Sequence, residues 1–145
     1  MRFFTPGWHQ NLSEVSDPVA VAYANYVREF WPLLPDAARL LVEFSLHDGI
    51  VTKVALKGDR LTLTLFPYDL QDDPYILRLT YEGGGGLQPA YLQLAQFKKG
   101  EAQILAHELD QTASGFVHRM LFWTQDFDYQ EVEIPFLRLR MELPE

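Results

Sequence analysis

The chain has 145 residues and no cysteine, and 20 acidic against 12 basic side chains give it a formal net charge of −8. The missing thiol excludes disulfides, thiolate metal sites, a cysteine nucleophile and iron–sulfur ligation, and the acidity argues against nucleic-acid and membrane partners, whose affinity rests on Lys and Arg. The length fits a single domain over residues 1–145; with no apolar run near the roughly 20 residues that span a bilayer and no signal-like apolar stretch in MRFFTPGWHQ, the expected location is the cytoplasm.

Phe3, Phe4 and Trp8 surround a Thr5-Pro6-Gly7 turn that should stop any regular element. Their rings are expected to pack onto the domain; the alternative is an exposed aromatic lip. A helix should begin at Ser16-Asp17-Pro18, with Asp17 as cap and Pro18 at the first helical position, where its missing N–H costs nothing. Val19, Tyr23, Tyr26 and Phe30 share its apolar face, and Pro32 ends it. A second helix is expected from Asp36 to Leu46 or His47, with Ala37, Leu41 and Phe44 on one stripe and Arg39 and Glu43 as an i,i+4 pair.

Ile50 to Pro67 specifies its own strand pairing. Gly58-Asp59 reads as a two-residue hairpin turn. Counting back from it sets Lys57 opposite Arg60, Leu56 opposite Leu61, Val54 opposite Leu63 and Thr52 opposite Leu65. Apart from Thr52 the inner set is apolar, and Lys53, Lys57, Arg60, Thr62 and Thr64 fall on the other face, so pattern and turn agree on one register.

Tyr68 to Pro74 is an acidic connection to a strand from Tyr75 to Tyr81, with Arg78 and Thr80 on its polar side. Gly83 to Gly86 must be a turn, since consecutive glycines are too costly in backbone entropy inside an element. Residues 90–97 suit strand or helix and are read as strand. Lys98-Lys99-Gly100 breaks that run, and Ala102 to Leu109 is a further strand carrying His107. After a turn at Ala113-Ser114-Gly115, Phe116 to Thr124 is apolar on both faces apart from His118 and Arg119, as in a central strand. Tyr129 to Ile134 alternates Val132 and Ile134 with Glu131 and Glu133; at Pro135 the apolar phase shifts to Leu137, Leu139, Met141 and Leu143, which suggests a bulge at a sheet edge. The expected fold is α+β: two N-terminal helices packed on a mainly antiparallel sheet of five to seven strands.

Candidate chemistry is sparse. The stretch EGGGGLQP lacks the Gly-Lys-Ser/Thr end of a phosphate loop, Asp69, Asp72 and Asp73 lack calcium-loop spacing, and none of four serines sits in a Gly-x-Ser-x-Gly elbow. The histidines could carry a reaction if the fold gathered them: His47-Asp48 at the helix-to-hairpin junction, His107-Glu108 on a strand, and His118 in the most apolar strand. No His-x-x-x-His or His-x-His spacing supports this, so the favoured role for His47 or Asp48 is to hydrogen-bond the backbone turning into the sheet. No cofactor and no metal is expected.

Two stretches, MRFFT with Trp8 and SLHDGIVTKVALKGDRLTLTL over residues 45–65, resemble a widespread group of uncharacterised bacterial proteins that open on Phe/Tyr-Phe-Thr and carry a Leu-His-Asp step into a hairpin. The resemblance implies a soluble cytoplasmic α+β domain of unknown function and does not point to an activity. With 14% aromatic residues and no catalytic signature, the expected function is a non-enzymatic protein-interaction module, binding a protein partner or a second copy through a sheet edge or the aromatic N-terminus. The alternative is a small enzyme or ligand-binding domain with a pocket near His47, Asp48 and His118.

Overall fold

The computed structural model describes residues 1–11, 17–66, 76–97 and 102–143. The acidic connection, the Lys98-Lys99-Gly100 break and the candidate calcium loop lie outside them. Contrary to the expected turn, Thr5 accepts from the Trp8 N–H at 3.1 Å and Pro6 takes the first position of a short helix, α1 (Pro6–Gln10). Proline there is preorganised for a helix rather than against one. Asp17 caps α2 (Pro18–Glu29) through the N–H groups of Val19 and Ala20, as expected.

A 3₁₀ turn over Trp31–Leu33 leads into α3 (Asp36–Glu43), which ends earlier than its apolar stripe suggested. Arg39 does not pair with Glu43. Its guanidinium donates to Trp31 O and Pro32 O at 3.1 Å and lies 3.6 Å from Asp36. Two fixed carbonyls within reach outweigh an exposed i,i+4 pair, worth about 0.3–0.5 kcal/mol.

The sheet contains β1 (Ile50–Lys57), β2 (Arg60–Phe66), β3 (Leu77–Glu82), β4 (Ala102–Thr112), β5 (Gly115–Thr124), β6 (Tyr129–Phe136) and β7 (Arg138–Glu142). Their order is β6-β5-β4-β1-β2-β3-β7, antiparallel throughout. The hairpin register holds from Lys57↔Arg60 back to Lys53↔Thr64, but a bulge between Val51 and Lys53 sets Val51, not Thr52, opposite Leu65. The bulge removes the one polar residue from the apolar face and puts a fully buried valine in its place.

Residues 90–97 belong largely to a helix, α4 (Leu87–Ala95), not a strand. Neither alternating set in that stretch is uniformly apolar, whereas Leu87, Ala90, Leu94 and Phe97, all buried, follow helical spacing. Pro89 sits in the first turn, where no helical hydrogen bond is lost. The helix runs beside β6, and Gln93 Nε2 donates to Glu131 O at 3.1 Å.

The phase shift at Pro135 is not a bulge. β6 and β7 stand at opposite ends of the strand order, yet only Leu137 separates them, so the sheet curls until its ends meet. Leu137 N–H donates to Glu82 O at 2.8 Å as the chain crosses to β3. The other bend is at β1 and β4, joined by Ile50↔Gln103 and by 2.8 Å bonds from Asp48 N–H to Ile104 O and from Ile104 N–H to Gly49 O. The core fills the space between the two halves, with Leu63, Leu79, Tyr81, Phe122, Ile134 and Phe136 essentially inaccessible. Among the described residues no helix is long and apolar enough to cross a membrane.

Gly84 is where the crossing meets the loop before α4. A Cβ there would lie 2.6 Å from Phe136 N and from Pro135 C, backbone atoms that cannot rotate away. Gly84→Ala is therefore expected to lower stability by about 1–3 kcal/mol in urea denaturation, while Gly7→Ala, facing only the Thr5 hydroxyl at 3.6 Å, stays neutral or gains stability. Equal behaviour of the two variants would contradict the tight crossing.

Candidate functional site

The hairpin of β4 and β5 brings two of the candidate histidines together. Counting back from the turn at Ala113-Ser114 sets His107 opposite Met120 and His118 opposite Leu109, so the two rings are diagonal neighbours on the inner face. Their centroids are 5.1 Å apart. The same counting that fixed β1 and β2 would have found this pair in the sequence.

Their proton positions follow from a carbonyl. His107 Nε2 lies 2.7 Å from Phe44 O, which can only accept, so that nitrogen carries the proton. His107 Nδ1 then accepts from His118 Nε2 at 3.0 Å, and His118 Nδ1 accepts from the Tyr81 hydroxyl at 2.7 Å. The curl of the sheet makes this last bond, since Tyr81 comes from β3 in the other half. Burial lowers the His107 pKa to about 4, partly opposed by the Phe44 carbonyl. It lowers that of His118 well below the ordinary value, with His107 adding to the effect, and pushes the Tyr81 phenol up. Both rings are neutral, and each ring nitrogen is committed to a protein partner. Among the described residues no three His, Asp or Glu side chains gather as a metal-ligand set.

His47 and Asp48 do not join this cluster. More than half of the His47 side chain is exposed. Its Nδ1 donates to Leu105 O at 3.1 Å, so it holds the edge of β4 beyond the bend rather than the backbone turning from helix into sheet. Tyr23 from α2 does the same further along, accepting from the Leu109 N–H at 2.8 Å, and burial raises its phenol to about 12. The Asp48 carboxylate stands 3.5 Å from His47 Nε2, and its backbone adopts φ +64°, the left-handed region.

On the outer face of β4 and β5, Glu108 is fully buried and accepts from the N–H groups of Arg2, Phe3 and Phe4 at 3.1–3.2 Å. Arg119, its cross-strand partner, lies 3.6 Å away and donates to Asp110 at 2.8 Å. Burial pushes the Asp110 carboxyl up, but hydrogen bonds from Tyr26, Arg119 and the Gln111 N–H outweigh it and hold the pKa below its ordinary value. The N-terminal rings are thereby packed: Phe3 on Tyr23 and Tyr26, Phe4 on Trp8 and Tyr23.

Cations gather on the outer face of β1-β2-β3-β7. Register places three rows across it: Lys57, Arg60, Glu82, Arg138; then Ala55, Thr62, Thr80, Arg140; then Lys53, Thr64, Arg78, Glu142. Six cations thus face two carboxylates on a chain of net charge −8. Arg60 and Arg138 share Glu82 at 3.3 and 3.7 Å, and Arg78 pairs with Glu142 at 3.7 Å. Lys53, Lys57 and Arg140 have no carboxylate partner among the described residues. The short middle row leaves a cleft of about 350 Å³, lined by Lys53, Arg60, Arg78 and Arg140 over threonines. A larger cleft of about 680 Å³ lies between α2 and α3, with Trp31, Val27 and Val42 in its lining.

A family model described as "Protein of unknown function (DUF4085)" matches residues 2–133. No curated protein matches the chain, and no solved structure does.

Between pH about 6.5 and 4 the unfolded chain binds protons on His107 and His118 that the folded interior refuses. Stability is full above that window and falls as pH drops through it. Urea denaturation at stepped pH reads this directly, and His107→Gln should flatten the slope; an unchanged slope would contradict the neutral pair. Tyr81→Phe strands the His118 acceptor and is expected to cost about 1–3 kcal/mol at pH 7.

Asp48 is held for its backbone. Asp48→Ala should cost about 1–2 kcal/mol, and Asp48→Gly should be at least as stable as the parent chain in the same assay.

Proposed function

We propose that this chain, which belongs to the matched family of proteins of unknown function (DUF4085), is a non-enzymatic binding module that takes an acidic protein segment across the outer face of β1-β2-β3-β7. The observation that carries this reading is the placement of charge: six cations against two carboxylates in a fixed three-row grid, on an otherwise strongly acidic chain. Isolated surface pairs are worth little, but a one-sign face steers an oppositely charged partner and fixes its orientation.

The chemistry of the face favours a protein partner. Its three rows hold no aromatic ring on which bases could stack, and the net charge of −8 repels a long polyanion approaching from elsewhere. The enzyme reading is weaker because His118 is inaccessible with both ring nitrogens engaged, while His47 lies outside that cluster.

A fluorescent Asp/Glu-rich peptide of twelve residues should bind in low salt and weaken severalfold at 0.3 M salt, as screening requires. Lys53→Glu with Arg140→Glu breaks no ion pair among the described residues. It should lower affinity at least tenfold with the melting temperature unchanged. Undiminished binding by that variant would contradict the proposed face.

A further inference from the structure

We infer that the cleft in the middle row is a pocket for a phosphoryl group, so that the acidic segment bound by this face carries a phosphorylated side chain. This rests on the acidic-partner reading and adds the chemical class of the group at its centre.

The middle row is cut short at Ala55, Thr62 and Thr80 and closes on Arg140, while the neighbouring rows carry long cationic side chains. Rows of same-face residues stand roughly 7 Å apart along a strand, so Arg60 on one side and Arg78 and Lys53 on the other flank the adjacent threonines Thr62 and Thr80. The cleft of about 350 Å³ has this lining. Thr80 is only 5% exposed yet lines the cleft, which puts this residue at the foot of the cleft rather than on the rim.

A monoanionic carboxylate is planar and presents two oxygens. A phosphoryl group presents three terminal oxygens and close to two negative charges, which matches a floor of hydroxyl donors beneath several guanidinium forks. Glu142 and Glu82 already satisfy Arg78 and Arg60 in part, while Arg140 has no carboxylate partner among the described residues and can turn its fork to the ligand.

The test uses the whole chain and two twelve-residue Asp/Glu/Gly peptides, one with a central phosphoserine and one with glutamate in its place. The phosphopeptide should bind at least tenfold tighter. Thr62→Val with Thr80→Val keeps every charge and should erase that preference while leaving the glutamate peptide within twofold; Arg140→Lys, which keeps the charge and removes the fork, should reduce it also and serves if the double variant does not fold. Equal affinity for the two peptides would overturn the pocket and leave the acidic-partner reading standing. No binding of either would overturn both. Inorganic phosphate binding as tightly as the phosphopeptide would overturn the assignment to a protein-borne group.

Discussion

Leu137 alone joins the strands at the two ends of the sheet, and most of the architecture follows from that link. A seven-stranded antiparallel sheet whose first and last members are one residue apart cannot lie open. It curls, and the curl gives every strand an inside and an outside. Inside, Tyr81 from one half reaches His118 from the other; outside, the polar rows of β1, β2, β3 and β7 are left as a continuous face. The constraint is tight at the backbone level, since Gly84 lies against the backbone of Pro135 and Phe136 where a side chain would not fit.

Two polar networks serve the closed sheet in different ways. The chain from Tyr81 through His118 and His107 to the Phe44 carbonyl gives each ring nitrogen a protein partner, so it specifies how the halves and the end of α3 fit together. Glu108 does the corresponding work on the outside of β4. Its buried carboxylate gathers three consecutive backbone N–H groups of the opening residues, with Arg119 beside it, and so lays the Phe3-Phe4 rings onto α2. The rings pack onto the domain as expected, and the opening residues form a strap.

What was legible in the sequence was local. The Gly58-Asp59 turn and the alternation around it gave pairing and face correctly except at Thr52, where a bulge corrects the pattern's own anomaly. The Asp17-Pro18 cap and the strand through His118 were equally plain. Residues 90–97 misled because a short amphipathic helix beside a sheet edge can mimic alternation. The His107–His118 contact was encoded in the Ala113-Ser114 turn and needed only a register count, but their union with Tyr81 and Phe44 depends on the curl, which no short-range pattern expresses. The basic face was hidden for a different reason. Each strand showed its own outward cations, yet net charge is a sum, and only the order β1-β2-β3-β7 shows that they stand together.

The fold divides two polar groups: neutral histidines pack the inside of the closed sheet, and the cations outside form the proposed recognition surface. The most direct measurement is a residue-resolved NMR titration with an acidic peptide at pH 7. Amide shifts are expected to concentrate at Thr62, Thr80 and Arg140, with the His107 and His118 ring signals unmoved and both rings in the Nε2–H form. Shifts centred on the histidine rings, with the outer sheet face silent, would contradict it.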